Sequence, residues 1–439
     1  MKNERREFLK LTGLTGISLA GLGMLPAFAA SPNFPARKDI YFSNSGSPSG
    51  VEKKMFNEEK FSIIGLYGEW AAGLTKNELP AYSFRRNDWS NLNEWRMAAR
   101  KRLLDRLSMP DIGGEVPLVK IGKQYTYDGL HIEEVSWQLP YGRPTEAILI
   151  KPANHDGPLP GILAFHDHAG NKYFGSRKIT RTSEPLHPLM EAHQRQYYEN
   201  FAWANEIAKR GYVVLVPDAF PFASRRVMLQ DVPGFMRQGL SDKDPENPEN
   251  IKAYNEWAGQ HEHIMAKSLF SAGTSWPGVF LAEDLKALDI LCARKDVDPA
   301  RIGCGGLSGG GMRTVFMAGL DPRIKCAVCV GFMTTWKDFI INKSFTHTWM
   351  AFVPLLPNEL DFPEILGLRA PLPALVLNDE NDDLYTPGEM RQADKILGEI
   401  YKKADAPNHY RCSFYPGPHK FDKKMQTEAF DWFDKWLKT

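Results

Sequence analysis

Gly306-Leu307-Ser308-Gly309-Gly310 constrains the fold of this chain more than any other stretch, because it fits a G-x-S-x-G pattern at the point where a strand should hand over to a helix. Upstream, Arg301-Ile302-Gly303-Cys304-Gly305 reads as a short strand. Downstream, Met312 to Leu320 reads as a helix interrupted by Gly only at Gly319. A serine held on such a corner takes strained backbone angles, and glycines two positions to either side let strand and helix approach without Cβ clashes. The hydroxyl is then turned outward. A glycine-rich turn with an incidental serine gives the same five letters, so the remainder of the chain has to decide between the two. A phosphate-binding loop is excluded, since no register gives G-x-G-x-x-G and no Lys follows as a Walker A sequence requires.

With 439 residues, 43% hydrophobic and 24% charged, the chain has the composition of a soluble globular protein that can bury a large core. One large domain plus an extension is expected. The formal net charge is +1 and no long basic or acidic block occurs, which argues against nucleic acid or an anionic membrane surface as partner. A small or neutral ligand fits better. The five cysteines, Cys292, Cys304, Cys326, Cys329 and Cys412, have no metal-finger spacing and read as core residues. Cys326 and Cys329 lie on one expected strand, where an offset of three points their side chains to opposite faces and argues against a disulfide.

Arg5-Arg6-Glu7-Phe8-Leu9-Lys10 precedes a mildly apolar run from Leu11 to Leu25, and Ala27-Phe28-Ala29 offers a small-residue cleavage site. Residues 1–29 resemble a twin-arginine signal peptide, with Glu4 where that signal usually carries Ser or Thr. The run is too short and too rich in Gly and Thr for a stable membrane span. The resemblance implies a mature chain starting near Ala30, exported to the periplasm or secreted.

Residues 30–115 are poor in strand pattern, with a charged amphipathic helix over Asn91 to Leu107, and are expected to form an extension packed on the main domain, 116–439. From Leu130 the pattern changes. Leu130 to Leu139 and Thr145 to Lys151 flank Tyr141-Gly142-Arg143-Pro144, a hairpin signal that should open the sheet. Apolar runs and helical stretches then alternate: Gly161–Phe165, Tyr198–Arg210, Tyr212–Val216, Phe280–Arg294, Arg301–Gly305, Ile324–Val330, Ala374–Leu377 and Tyr410–Tyr415. This pattern predicts an α/β fold, a mostly parallel sheet covered by helices on both faces, with function at the C-terminal ends of the strands. The segment at about 224–278 is too long for a plain crossover and reads as a lid-like insertion at the mouth of the site. Trp257 and Trp276 within it, and Trp336 beyond it, are candidate substrate contacts, each with ordinary packing as its simpler reading.

A serine hydroxyl is a weak nucleophile and needs a base within reach that is itself oriented by a carboxylate. Beyond the Ala374–Leu377 strand comes the acidic turn Asn378-Asp379-Glu380-Asn381-Asp382-Asp383, from which Asp382 is the favoured carboxylate and Asp383 the close second. His419 follows the last expected strand in Pro416-Gly417-Pro418-His419, ahead of a C-terminal helix from about Lys423 to Leu437. Of the 11 histidines it alone has this placement. An oxyanion hole also requires backbone N–H groups aimed at the attacked carbonyl, and Gly309, next to the serine, supplies one.

The chain order Ser308, Asp382, His419 reproduces nucleophile, acid and base of the α/β-hydrolase superfamily. The stretch from about residue 115 to the end resembles that superfamily, and within it the dienelactone hydrolase-like and acetyl xylan esterase-like exported bacterial proteins. Gly211-Tyr212-Val213-Val214-Leu215-Val216-Pro217-Asp218 and Val297-Asp298-Pro299-Ala300-Arg301-Ile302-Gly303 match phrases common there, and Asp382-Asp383-Leu384-Tyr385 resembles the D-x-L-F pattern of related hydrolases. The resemblance implies that His166-Asp167-His168-Ala169-Gly170 stands where such proteins carry an H-G-x-x-G loop, with the His168 N–H as second oxyanion donor. Asp167 replaces the usual Gly, which puts the loop's conformation in question and makes Asp167 a further candidate substrate contact.

The expectation is a serine ester hydrolase without cofactor or metal, acting on acetyl or other short acyl esters of carbohydrate. A glucuronoyl methylesterase, a lactone hydrolase or a serine peptidase on the same fold stay open, as does a catalytically degenerate binding protein. His166-Asp167-His168 also invites a metal reading, but it falls short of H-x-H-x-D-H, and His261 and His263 offer no strand scaffold. Acyl length, alcohol and oligomeric state are not encoded in these motifs.

Overall fold

The computed structural model describes residues 62–75 and 78–438. The signal-like segment 1–29 lies outside them. Among the described residues, nine strands form one sheet: β1 Lys120–Tyr127, β2 Leu130–Trp137, β3 Thr145–Pro152, β4 Leu159–Phe165, β5 Val213–Pro217, β6 Val297–Leu307, β7 Ile324–Val330, β8 Ala374–Asp379 and β9 Tyr410–Tyr415. Their spatial order is β1-β2-β3-β5-β4-β6-β7-β8-β9. The pairings of β1 with β2, β2 with β3 and β3 with β5 are antiparallel, and all others are parallel. With helices on both faces, this is the α/β-hydrolase fold, as the alternation of runs predicts.

The hairpin β2–β3 pairs in unbroken register from Leu130 opposite Pro152 to Trp137 opposite Thr145. The edge strand β1 is absent from the sequence reading, and its burial explains why: it is almost wholly solvated, so Lys120 to Tyr127 carry no alternation to read. Inner strands β4, β5 and β8 are instead buried along nearly their whole length. Alternate residues feed two core layers. Leu163, Phe165, Leu215, Cys304 and Cys329 face one side, and Ile162, Ala164, Val214, Cys326 and Val328 the other. Cys326 and Cys329 thus point apart, and all five cysteines are free thiols.

The charged helix α1, Leu92–Leu107, is capped by Asn91, whose side chain accepts from the N–H of Asn93 and Glu94. It buries Trp95, Ala99, Leu103 and Leu107, one stripe at a four-residue spacing, in the same core as β4 and β6. Its last turn is fixed by the Ser275 hydroxyl, which donates to the Leu107 carbonyl at 2.7 Å.

Two helical readings need correction. The stretch from Tyr198 to Arg210 holds the end of α2, Pro188–Tyr198, and then α3, Trp203–Lys209; between them Glu199 and Asn200 adopt positive φ, which no helix continues through. The insertion at 224–278 carries a helix that the sequence pattern does not show: after short turns it forms α4, Pro248–Ser271. Ile251, Tyr254, Ala258, Glu262 and Ala266 make its buried stripe. The charged member and the polar flanks hide the period in the sequence. The next helix, α5, Trp276–Cys292, begins four residues earlier than expected. Beyond it lie α6 Gly309–Leu320, α7 Pro387–Lys403 and α8 Lys423–Leu437.

Glycines test this packing. A Cβ on Gly278 would lie 2.2 Å from the Leu107 carbonyl oxygen, whereas one on the exposed Gly259 of α4 meets nothing within 4 Å. Gly278→Ala should therefore destabilise by about 1–3 kcal/mol or more, and Gly259→Ala should stabilise by about 0.5–1 kcal/mol. Urea or thermal unfolding of the two variants, read against the parent, checks both signs.

Candidate active site

The order of β4, β5 and β6 reverses around β4, so the loops after β4 and β6 leave the sheet at its topological switch point, where α/β proteins open a crevice. Ser308 sits in that corner with φ 59° and ψ −117°, between β6 and α6. For a residue with a Cβ this conformation costs roughly 1–3 kcal/mol. It is held by the Ser308 N–H, which donates to the Val330 carbonyl at 2.8 Å. The glycines explain how the chain passes: a Cβ on Gly306 would stand 2.3 Å, and one on Gly310 2.4 Å, from the Phe165 carbonyl oxygen. Residues 302–307 and 310–319 are buried, whereas Ser308 and Gly309 keep partial access to solvent.

Asp382 and His419 meet directly. His419 Nδ1 lies 2.6 Å from Asp382 Oδ2, so Nδ1 carries the hydrogen and Nε2 of the neutral ring is left to accept a proton. The other Asp382 oxygen accepts from the Leu384 N–H at 2.9 Å. Asp383 is exposed, whereas Asp382 is buried and bonded to His419, which separates the two carboxylates left open by the sequence. The His419 ring rests on Gly331, where a Cβ would lie 2.8 Å from its Cε1 and 3.0 Å from Leu307 Cδ1, the residue preceding Ser308. Gly331 also has φ 56°, so glycine is required there twice over. Burial alone would push the imidazole pKa down. The charge and hydrogen bond of Asp382, with Asp379 and Asp167 behind it, outweigh burial and raise it above 6.5. Burial, assisted by the Asp382 charge, pushes the Asp379 carboxyl up to about 8 against the opposing pull of the Lys420 N–H. Among the described residues, Asp379, Asp382 and His419 are the group whose ligand-type atoms lie close enough to hold a metal, within 4.8 Å of one another. The Asp382 to His419 distance in it is that of a hydrogen bond.

The loop after β4 faces the elbow. A Cβ on Gly309 would lie 3.2 Å from the backbone nitrogen of His168, so these two backbones run against each other. Asp167 does not disturb the turn because its carboxylate points inward, 1% exposed, to accept from Tyr198 Oη at 2.5 Å and His193 Nε2 at 3.1 Å. Burial would push its pKa up, but the charges of His193 and Lys178 and these hydrogen bonds hold it well below the usual carboxylate range. The buried Asp167 thus offers structure to the loop rather than surface to a substrate. Both ring nitrogens of His166 are engaged, Nδ1 with the Asp167 carbonyl at 3.0 Å and Nε2 with the Ala219 N–H at 3.1 Å. In His168, Nδ1 accepts from the Gly170 N–H at 3.0 Å and Nε2 donates to Glu262 at 2.8 Å. Neither histidine has a ring nitrogen to spare for a metal ion. His261 stacks on Trp257 at 4.7 Å, and His263 meets Lys267.

The three tryptophans singled out from the sequence are buried. Trp257 donates to the Met236 carbonyl, Trp276 lies beside Phe220, and Trp336 stacks on Phe362 at 3.8 Å while donating to the Leu360 carbonyl. The structure adds residues the sequence reading left out. Glu262 accepts from His168 and lies 2.5 Å from Lys172; its other oxygen accepts from the Thr348 hydroxyl and the Trp349 N–H. It ties α4, the β4 loop and the segment around Thr348 into one unit. Trp349 is 43% exposed there. The available signal was a carboxylate four residues from both Ala258 and Ala266 on a buried helical stripe. For Lys178, fully buried, nothing in the local sequence marks the site.

No protein-family profile matches this sequence. A protein of Bacillus subtilis (strain 168), YtaP, provisionally named a hydrolase, is 27% identical over 295 residues, covering 66% of this chain and 83% of its own. A solved structure from Bacteroides fragilis NCTC 9343, provisionally named an acetyl xylan esterase, matches with TM-score 0.58 and 17% identity, covering 82% of this chain and 84% of that one. A glucuronoyl esterase from Solibacter usitatus matches with TM-score 0.53 and 14% identity, covering 78% of this chain and 93% of that one. These likenesses agree with the α/β-hydrolase fold.

The Asp382 to His419 contact predicts a titration. By NMR the His419 imidazole should titrate above 6.5, the ordinary value, because the charged ring is the form that Asp382 stabilises. Asp382→Asn should bring it down and Asp383→Asn should leave it in place. An unmoved His419 in the Asp382 variant would refute the pairing.

Proposed function

We propose that this protein is a serine carboxylic ester hydrolase that works through an acyl-enzyme, with Ser308 as nucleophile, His419 as base, Asp382 as its orienting carboxylate, and the N–H groups of Gly309 and His168 as the oxyanion hole. The observation that carries this reading is the conjunction at one crevice of a strained, accessible Ser308 and a buried carboxylate bonded to His419 at 2.6 Å. The facing backbones of Gly309 and His168 complete it.

His419 Nε2 takes the proton of the Ser308 hydroxyl as Oγ attacks the ester carbonyl. The oxygen of the tetrahedral adduct, now negative, is met by the two N–H groups, which need no reorganisation at that moment. The adduct collapses, the C–O bond to the alcohol breaks, and His419 returns the proton to the departing alkoxide. Water then repeats the sequence on the acyl-enzyme: His419 removes its proton, the hydroxide adds, and the carboxylic acid leaves with Ser308 restored. Asp382 keeps the imidazole in the useful tautomer and stabilises the imidazolium without taking the proton itself. A base held above the ordinary imidazole pKa places the acid limb of kcat/KM correspondingly high, since the protonated ring cannot accept.

The substrates we infer are acetyl or other short acyl esters of carbohydrate. The near-neutral chain repels neither neutral sugars nor their esters, and the named similar structures include a provisional acetyl xylan esterase and a glucuronoyl esterase. The exposed ring of Trp349, on the segment joined to the oxyanion loop through Glu262, offers a flat apolar face to a sugar. Ser308→Ala should lower turnover of nitrophenyl acetate by about 10⁴-fold or more, with labelling by a fluorophosphonate lost. A panel of acetylated xylan, longer nitrophenyl esters and methyl glucuronate then identifies the ester, and preference for the uronate would move the reading to a glucuronoyl methylesterase. Unchanged turnover in pure Ser308→Ala protein would end the serine mechanism.

We also infer export through the twin-arginine route from Arg5-Arg6 and the apolar run that follows. No helix among the described residues is long and apolar enough to cross a membrane. Replacing both arginines by Lys should retain the precursor in the cytoplasm, as read by fractionation; undiminished export would refute the route.

A further inference from the structure

Lys178 lies in a short turn after the β4 loop, is 0% exposed, and is not a member of the triad or the oxyanion hole. Its ammonium makes two hydrogen bonds, to the carbonyl of Asp167 at 2.7 Å and to the carbonyl of His168 at 2.9 Å. Around these lie the Asp167 carboxylate, at 3.8 Å, and the face of Phe222, at 4.7 Å. Burying an ammonium is costly, so a chain that places one behind two consecutive carbonyls has fixed the direction of both peptide groups.

That direction matters because the Asp167–His168 peptide is trans. In a trans peptide the N–H points opposite to the carbonyl. With the Asp167 carbonyl drawn to Lys178, the His168 N–H must leave on the other side, which is where its nitrogen faces Gly309. The His168 carbonyl fixes the Ala169 N–H in the same way, and Ala169 has φ 41°, so successive N–H groups there can form an anion-binding concavity. A cation on the carbonyl also strengthens the N–H of the same peptide as a donor, since hydrogen bonds in a chain polarise one another.

We propose that Lys178 is a positioning residue for the oxyanion hole: by gripping the carbonyls of Asp167 and His168 its ammonium aims and polarises the His168 N–H toward the negative oxygen of the tetrahedral adduct. The assignment rests on the ester-hydrolase reading above. Asp167 and its partners His193 and Tyr198 are the counterweight that keeps this cation in place, which accounts for an aspartate at a position where the resemblance calls for glycine. The groups facing Lys178 from its surroundings are Asp167 and His166 in the β4 loop, Lys172 ahead of it, and Asp218 at the end of β5. Burial pushes the Lys178 ammonium down to about 8 even with Asp167 opposing, so the charge that polarises the two carbonyls is lost in mildly alkaline solution.

The test is Lys178→Met, which keeps length and removes charge and donors. With nitrophenyl acetate we expect kcat to fall about 10²-fold, as for loss of one oxyanion donor, with KM within roughly a factor of three. Fluorophosphonate labelling should slow in parallel, while thermal unfolding and near-UV circular dichroism report an intact fold. In the parent protein kcat should decline above about pH 8, and the folded variant should lack that limb. A folded variant with parental kcat and labelling rate overturns the Lys178 assignment alone, and a parent that neither turns over ester nor labels overturns the ester-hydrolase reading and this assignment with it. If Lys178→Met does not fold, the pH profile decides in an Asp379→Asn background, which removes the carboxyl that titrates in the same range. A kcat that stays level to roughly pH 10 there overturns the proposal.

Discussion

Everything at the C-terminal edge of this sheet is arranged around a single left-handed residue. Ser308 takes φ 59°, a conformation that disfavours any side chain, and holds it because β6 and α6 are both pressed against the Phe165 and Val330 carbonyls. The glycines at 306 and 310 are the condition for that pressure, since a methyl group at either would enter the space of the Phe165 oxygen. The same close approach brings the end of β4 alongside the start of α6. The loop that follows Phe165 therefore has to run past Gly309, and the backbone of His168 is delivered there by the packing that strains the serine.

Around this corner the molecule relies on buried charge rather than on apolar filling alone. Asp167, His193, Tyr198 and Lys178 form one group behind the β4 loop, and His168, Lys172, Glu262 and Thr348 form a second at its front. Breaking a buried pair leaves the partner uncompensated, which typically costs several kcal/mol. Such groups define a geometry more sharply than apolar contacts, because their directions are fixed by hydrogen bonds. Their placement, on both sides of the loop that carries the proposed oxyanion donor, gives rigidity where electrostatic stabilisation of an anion needs it. On the far side of the crevice the same logic recurs, with the Asp379 carboxyl pushed up by burial and Asp382 bonded to His419 at 2.6 Å.

The inserted helix α4 changes how the mouth of the crevice is understood. A polar, proline-bearing stretch suggested a lid, but residues 248–271 are a capped helix whose Ala266 enters the main core and whose Glu262 reaches the β4 loop. It acts as a wall. The aromatic surface next to it is Trp349, on a segment whose backbone is bonded to Glu262, while the tryptophans that stand out in the sequence are spent on packing.

Local sequence determined the elements that have a local cause. Continuous apolar runs announced the inner strands, Asn91 and the four-residue spacing of Trp95, Ala99, Leu103 and Leu107 announced α1, and the glycines about Ser308 announced a strained corner, because burial on both faces, helix capping and close backbone approach each leave a mark within a few residues. What the chain does not write locally is left to the tertiary structure. The edge strand β1 has no buried face and so no pattern; Asp382 and Asp383 are chemically alike until one of them is buried against His419; and Lys178 and Glu262 become special only because folding removes water from them and sets them against carbonyls and imidazoles far away in sequence. Residue type and order thus determined the fold and the serine and histidine of the candidate triad, whereas which carboxylate meets His419, how the altered β4 loop keeps its shape, and which aromatic ring meets solvent were decided by desolvation and direction, properties that exist only once the chain is packed.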